Sequence, residues 1–201
     1  MEHKNYAEQV HQMVRKQGMI RPRDLKEYNI PREYLQRLYE RGELLRSGRG
    51  IYTLADAEIT ENNSLAEACK RVPQGVICLL SALRFHNIGT QSPFEVWIAI
   101  HPKSFRPRAD YPPLHIVRFS DFSLTAGVEE HSVPEGIVRV YNVPKTIADC
   151  FRYRNKIGLD VALEALRAVW REKKTTMDEL WHYAHLVRVS TVMKPYLEGL
   201  V

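Results

Sequence analysis

The sequence lacks any apolar run long enough to cross a membrane, since a spanning helix needs about 20 such residues. The apolar segments VICLL and VWIAI have the length of buried strands. The N-terminal segment MEHKNYAEQVHQMVRK alternates polar and apolar residues and has no apolar core of a signal peptide. We therefore expect neither a membrane protein nor a secreted one, and we place the protein in the cytoplasm.

Cysteine is scarce: Cys69, Cys78 and Cys150 are far apart, and no CxxC pair occurs. An odd number at such spacings supports neither a disulfide framework nor a zinc site, so we expect three reduced thiols. Hydrophobic residues make up 44% of the 201 residues and charged residues 26%, which is ordinary for a globular protein. The net charge of +5 permits a phosphate-rich partner without requiring one.

Motifs for catalysis and nucleotide binding are missing as well. No GxxxxGK, HExxH or GxSxG occurs, and Gly48-x-Gly50 leads into a predicted strand, unlike a dinucleotide-binding loop. His182 and His185 have a spacing compatible with a metal ion on a helix, but further ligands are lacking. The residues therefore predict a binding protein with no metal, no cofactor and no catalytic residues.

Residues 1–57 have the pattern of three short helices followed by a hairpin. The order of these elements within about 50 residues is typical of a winged helix-turn-helix. The predicted elements are a first helix from Tyr6 that ends at Gly18, a second over 22–28, a third over 31–41, and strands at 43–46 and 51–54 around a Gly-rich turn.

Residues 21–50 carry eight basic side chains against five acidic ones. On a helical wheel, Arg32, Gln36 and Arg37 fall on the exposed face of the third helix, where arginine and glutamine can contact base edges in a major groove. The predicted DNA contacts are Arg21, Arg23, Arg32, Gln36, Arg37, Arg41, Arg46, Ser47 and Arg49, with Arg49 at the tip of the wing and Arg46 and Ser47 near phosphates.

Two other interpretations of this segment stay open. Glu33 and Glu40 lie on the same face and would repel phosphate, which favours a solvated helix of mixed charge. Some winged helices also serve only as protein-interaction modules.

After a polar joint, residues 62–201 predict a larger, mixed α+β domain that ends in helices, so the fold class is α+β. The predicted elements are helices at 65–71 and from Ser81, strands at 94–100 and 114–119, a strand pair at 128–134 and 137–143, and helices from Pro144 onward, interrupted at Gly158 and at 175–176.

A second basic cluster follows the strand that ends at Ile100. Lys103, Arg106 and Arg108 alternate with prolines that keep the segment extended. Such a loop suits additional phosphate contacts, an RNA or an acidic protein. The alternative is a solvated loop without a partner.

Three segments together resemble AbiEi-type antitoxins. RPRDLKEYNIPREYLQRLYERGELLRSGRGIYTL (21–54) resembles their winged helix-turn-helix. LLSALRFHNIGTQSPFEVWIAI (79–100) resembles the start of their antitoxin domain, and VYNVPKTIADCFRYRNKIGLDVALEAL (140–166) its later helical motif, with Lys145 and Asp149 in register. The resemblance covers nearly the whole chain.

This resemblance implies the antitoxin of a type IV abortive-infection system that defends against phage. Its N-terminal domain would repress its own operon by binding inverted repeats in the promoter. Its C-terminal domain would counteract a nucleotidyltransferase-like toxin without a stable complex. The resemblance brings no catalytic residues, and the candidate antitoxin surface is Lys103, Arg106, Arg108, Lys145 and Asp149. We expect a monomer in solution that cooperates on DNA.

Two functions of other classes remain as alternatives. The second domain could be a degenerate nuclease or transferase that uses the histidines and acids of the C-terminal half. Ser81, His86 and Asp149 could in principle meet as well, but no local motif supports an activated serine. It could also sense a small ligand and thereby control the winged helix.

Overall fold

The N-terminal part of the protein is a group of short helices closed by a hairpin. The computed structural model describes residues 5–47, 50–107 and 111–200. The elements up to residue 54 are α1 (Tyr6–Gln17), a 3-10 helix (Asp24–Tyr28), α2 (Glu33–Glu40), β1 (Leu44–Ser47) and β2 (Ile51–Leu54). β1 and β2 pair antiparallel, with Ser47 opposite Ile51. The predicted order of helices and wing is confirmed.

The first helix begins and ends where its sequence signals lie. The Asn5 side chain accepts a hydrogen bond from the backbone N–H of Glu8 at 3.2 Å, which caps the helix. Val10 and Val14 lie one turn apart and are buried. Gly18 follows the helix with a φ of 70°, a conformation that favours glycine.

The second helix is shorter and tighter than predicted. The sequence pattern predicts a helix over 22–28, whereas the structure has a 3-10 helix of five residues that begins at Asp24. The Asp24 carboxylate accepts a hydrogen bond from the backbone N–H of Arg21 at 2.9 Å, so residues 21–24 form a turn instead of helix. Asn29, with a φ of 52°, ends the helix after Tyr28. The turn at residues 21–24 and the left-handed residue Asn29 therefore limit this helix to five residues.

The remaining described residues form a mixed sheet with helices on both faces. The strand order is β5-β4-β3-β7-β6, with β3 parallel to β7, β4 parallel to β5, and the other pairs antiparallel. The strands are β3 (Val76–Ile77), β4 (Val96–Ile100), β5 (Leu114–Arg118), β6 (Val128–Val133) and β7 (Gly136–Tyr141). The helices are α3 (Asn63–Arg71), α4 (Leu79–Phe85), α5 (Asp121–Thr125), α6 (Val143–Arg152), α7 (Arg154–Ile157), α8 (Leu159–Arg171), α9 (Met177–Leu186) and α10 (Ser190–Glu198).

Alternating strand residues divide the core of this sheet into two layers, because successive side chains point to opposite faces. Ile77 and Ile98 belong to the cluster that packs against α3. Val76 and Ala99 belong to the larger cluster, which includes α4, α6 and the last helices. A third cluster, formed by residues from α1 to β2, is separate from both.

Most of the predicted elements in the second part are confirmed, with shifted ends. The predicted pair of strands at 128–134 and 137–143 is the antiparallel pair β6–β7. Gly158 and Thr176 precede α8 and α9, and Thr176 forms a capping box with Glu179. The predicted strand from residue 94 starts at Val96 instead. In the described ranges, no helix is long and apolar enough to cross a membrane.

Candidate DNA-binding face

Helix α2 turns one apolar side inward and a polar side outward. Leu35 and Leu38 are buried against the N-terminal cluster. Gln36 and Arg37 are exposed, as the helical wheel predicts. The Gln36 amide donates to Glu40 Oε1 at 2.8 Å, and the Arg37 guanidinium lies 5.1 Å from the centroid of the Tyr34 ring. Both side chains are therefore oriented by neighbours on their own helix before any ligand binds.

The predicted DNA contacts do not all lie on the same exposed surface. Six of them are exposed: Arg23, Arg32, Gln36, Arg37, Arg41 and Arg46. Arg41 lies 3.9 Å from a Glu43 carboxylate oxygen, a distance that leaves its guanidinium largely solvated. Arg49 lies outside the described residues. Arg21 and Ser47 are partly buried and have partners within the protein.

Arg21 contacts other protein groups instead of solvent. Its guanidinium donates to the backbone carbonyl of Lys70 and to Asp24 Oδ1, the latter at 3.3 Å. Burial lowers the pKa of Arg21, and the attraction of Asp24 opposes that shift. The expectation that Arg21 faces DNA is corrected, because its donors are directed towards Asp24 and the Lys70 carbonyl of α3.

Ser47 also contacts α3. Its hydroxyl donates to Glu67 Oε2 at 2.6 Å, and its carbonyl accepts from Arg71 Nη2 at 3.2 Å. The hydroxyl is therefore not directed at a phosphate, which corrects the second expectation. Sequence reasoning missed Glu67 because it lies 20 residues from Ser47. The available signal was a pair of opposite charges, Glu67 and Arg71, one helical turn apart, with Glu67 flanked in the sequence by the apolar residues 65–66 and 68–69.

The second basic loop is exposed and held in place by one arginine. Arg118 Nη1 donates to the carbonyls of residues 101, 102 and 104 at 3.2, 2.5 and 3.0 Å. Lys103 and Arg106 are exposed, and Phe105 between them is 98% exposed. Arg108 lies outside the described residues. The loop thus presents an aromatic ring between two cations.

Lys145 and Asp149 do not belong to any surface. Both side chains are 0% exposed, and Lys145 Nζ lies 2.5 Å from Asp149 Oδ2. The ammonium also lies 4.2 Å from the centroid of the Tyr141 ring and 4.9 Å from that of Phe119. Burial raises the pKa of Asp149 to about 6 and lowers that of Lys145, in each case against the attraction of the partner. The expectation of an exposed antitoxin motif is corrected.

The groups considered for catalysis have other partners. The Ser81 hydroxyl accepts the backbone N–H of Trp97 at 2.9 Å, and His86 Nε2 lies 2.7 Å from the carbonyl oxygen of Tyr141. His185 Nδ1 lies 2.7 Å from the carbonyl oxygen of Trp181. Among the described residues, no three His, Cys, Asp or Glu side chains cluster as metal ligands would. All three cysteines are buried, free thiols.

A cleft of about 470 Å³ separates α1 from β6 and β7. Lys16 and Arg21 line it on one side, and Arg139 and the partly apolar strand β7 on the other. Glu135, at the turn between the strands, is buried. Its Oε1 accepts the backbone N–H of Thr60, and its Oε2 has no hydrogen-bond partner among the described residues.

Comparison with known proteins finds one similar fold and one family model that matches the N-terminal segment. The fold is similar to the crystal structure of the RV2827C protein from Mycobacterium tuberculosis, with a TM-score of 0.60 over 97% of this chain and 80% of that chain. Their sequences are 10% identical, so the likeness concerns the fold alone. No curated protein sequence matches the chain. Residues 9–55, which include α2 and the hairpin, match the model described as transcriptional regulator, AbiEi antitoxin. Over these residues the chain is similar to the AbiEi antitoxin family of transcriptional regulators.

Proposed function

We propose that the protein binds inverted repeats in its own promoter and represses its operon in the cytoplasm. The exposed face of α2, with Gln36 and Arg37 and with Arg32 directly before the helix, carries this proposal, because these side chains suit base edges and lie within the family-matched segment. The hairpin would lie along the adjacent backbone, with Arg46 near phosphate. Steric exclusion of the polymerase is then sufficient for repression, and no catalytic step is needed.

The family match over residues 9–55 supports a regulatory N-terminal unit, and we propose that the protein acts as two units. We propose a DNA-binding domain at 1–57 and an antitoxin domain at 62–201, which agrees with the separate apolar cluster formed by α1 to β2. The protein would be a monomer in solution, and two molecules would bind the two half-sites cooperatively. A gel shift of the promoter fragment should then show two steps, the second at little higher protein concentration than the first.

The decisive experiment is a titration of the promoter fragment with the full-length protein. A scrambled fragment at the same salt concentration controls for charge alone. Arg37→Ala should cost about 1–3 kcal/mol on the promoter and little on scrambled DNA, since a base contact is lost. Arg171→Ala, an exposed helical arginine in α8, is the matched control and should bind as wild type does. Equal affinity of the wild type for both fragments would contradict the proposal.

We also propose that the loop at 101–107 counteracts a nucleotidyltransferase-like toxin of a type IV system. Its exposed Lys103, Phe105 and Arg106 support this assignment, now that Lys145 and Asp149 are known to be buried. Co-expression with the toxin should restore growth for wild type and not for the triple alanine variant of the loop. Promoter binding by that variant should be unchanged. Co-purification of the two proteins would argue against neutralisation without a stable complex.

The cleft beside Glu135 favours a second candidate, a regulator that responds to a small ligand. Its volume is in the range of small-molecule sites, which often lie between domains. The unpaired Glu135 Oε2 would accept a donor, and Lys16 would attract an anionic group. Ribonucleoside monophosphates combine both features and are the first probes. A rise in Tm that Glu135→Gln abolishes would support this candidate, and no rise with any of them would count against it.

A further inference from the structure

Helix α3 lies outside the family-matched segment, yet it holds that segment at two points. Three charged side chains near its C-terminal end, Glu67, Lys70 and Arg71, face α1, the 3-10 helix and the wing rather than solvent. We call these three residues the brace. Glu67 is 0% exposed, although it carries a carboxylate. A buried charge of this kind persists only where donors surround it, so its partners show what it holds.

The first point of attachment is the base of the wing. Glu67 accepts the Ser47 hydroxyl at 2.6 Å, and it accepts Arg71 Nε and Nη2 at 3.1 and 2.7 Å. Arg71 Nη2 also donates to the Ser47 carbonyl at 3.2 Å. Ser47 is the last residue of β1 and lies opposite Ile51, the first residue of β2. The hydroxyl and the carbonyl of Ser47 are thus both fixed by one helix.

The second point of attachment precedes α2. Lys70 Nζ lies 2.9 Å from Asp24 Oδ2 and donates to Gln17 Oε1 at 3.0 Å. The carbonyl of Lys70 accepts the Arg21 guanidinium. Asp24 is the first residue of the 3-10 helix, and Gln17 is the last residue of α1. The same turn of α3 therefore fixes the wing and the segment that leads into α2.

From these contacts we infer that Glu67 is a positioning residue for DNA recognition. Glu67 fixes the position of the wing relative to α2. The DNA-binding unit therefore includes the chain as far as Arg71, the end of α3. This inference rests on the proposed DNA binding. A duplex is rigid, so α2 and the wing engage it together at lower cost when their separation is fixed beforehand. Without the brace, binding must order the wing, which costs about 0.5–1.5 kcal/mol for each side chain immobilised.

The variants Ser47→Ala, Glu67→Gln and the double variant separate positioning from direct contact. Each should bind the promoter about tenfold more weakly than wild type, which corresponds to about 1.4 kcal/mol. The double variant should bind no more weakly than the weaker-binding single variant, because both substitutions act on the same hydrogen bond between Ser47 and Glu67. The slope of affinity against salt should stay at the wild-type value, since no phosphate contact is lost.

Thr176→Ala is the control for destabilisation, because it removes the cap of α9 far along the chain from the wing. It should lower Tm and leave promoter affinity unchanged. Hydrogen exchange of DNA-free protein adds a measurement that does not depend on DNA. The amides of β1 and β2 should exchange faster in Ser47→Ala than in wild type or in Thr176→Ala.

The outcomes are distinguishable. If the wild type prefers its promoter and both single variants bind equally well, the brace does not position the wing and the inference is wrong. If only Ser47→Ala binds more weakly, with the salt slope reduced by about one ion, Ser47 contacts phosphate directly and the inference is also wrong. If the wild type has no preference, the proposed function fails, and the exchange data alone report on the brace. Should Glu67→Gln not fold, Ser47→Ala carries the test, since it loses only a hydroxyl.

Discussion

The buried pair Lys145–Asp149 permits a quantitative prediction about the fold. Its two charges lie 2.5 Å apart with no exposed surface, and Asp149 Oδ1 has no hydrogen-bond partner among the described residues. Burial raises the pKa of Asp149 from 3.8 to about 6, which corresponds to ~3 kcal/mol of cost for the ionised form. Desolvation thus outweighs the attraction between the partners. The pair costs stability, but each charge still compensates the other.

Removing one partner should be more damaging than removing both. Lys145→Met leaves an uncompensated buried carboxylate, and we expect the free energy of unfolding to fall by about 3–5 kcal/mol. Lys145→Met/Asp149→Leu leaves an apolar core and should be within about 1 kcal/mol of wild type, or more stable. Lys194→Met, in the exposed pair with Glu198, is the control and should change stability by less than about 0.5 kcal/mol.

Urea unfolding at pH 7, followed by tryptophan fluorescence, measures the wild type, these three variants and the single variant Asp149→Leu. A double variant as destabilised as the sum of its single variants would refute this reasoning, because the two charges would then not compensate each other. The pH dependence is a second check. The folded protein holds a proton on Asp149 between about pH 4 and 6 that the unfolded chain has lost, so this group makes stability fall as pH rises through that window. Asp149→Asn should abolish this contribution.

Three further predictions concern single contacts. Thr176→Ala should lower the free energy of unfolding by about 1 kcal/mol, because its hydroxyl caps α9; thermal melts measure this. Gly18→Ala should cost about 2 kcal/mol or more, since its Cβ would lie 2.1 Å from the carbonyl carbon of Glu135 at a positive φ; an unchanged Tm would contradict this. Arg118→Ala should speed hydrogen exchange in the loop at 101–107 without a large change in Tm, because three carbonyls lose their donor.

Local patterns predicted the outward face of α2 correctly. Whether Gln36 and Arg37 are exposed depends on helical periodicity and on neighbours one turn away, and these are visible in the sequence. The same holds for Gly18, which ends α1. The length of the 3-10 helix was not predictable in this way, because it depends on how Asp24 bonds to both Arg21 and the distant Lys70.

The placement of Lys145 and Asp149 required knowledge of what covers α6. Charged side chains are rarely buried, so the sequence favoured a surface. The helix gave one contrary signal. Its residues from Pro144 to Phe151 are apolar or small, apart from Lys145 and Asp149. These two residues are one helical turn apart, so their charges can compensate each other inside a core.

The two proposed domains, 1–57 and 62–201, are connected by more than the chain between them, because α3 contacts the N-terminal part. The two parts have separate apolar clusters, and between them lie charged and hydroxyl groups such as Glu67, Lys70 and Ser47. Such contacts add little net stability, because desolvation offsets most of their attraction, but they have narrow geometric requirements. Substitutions there should therefore alter how the wing is presented before they unfold the protein. Promoter affinity is consequently the more sensitive measurement at this boundary, and Tm the less sensitive one.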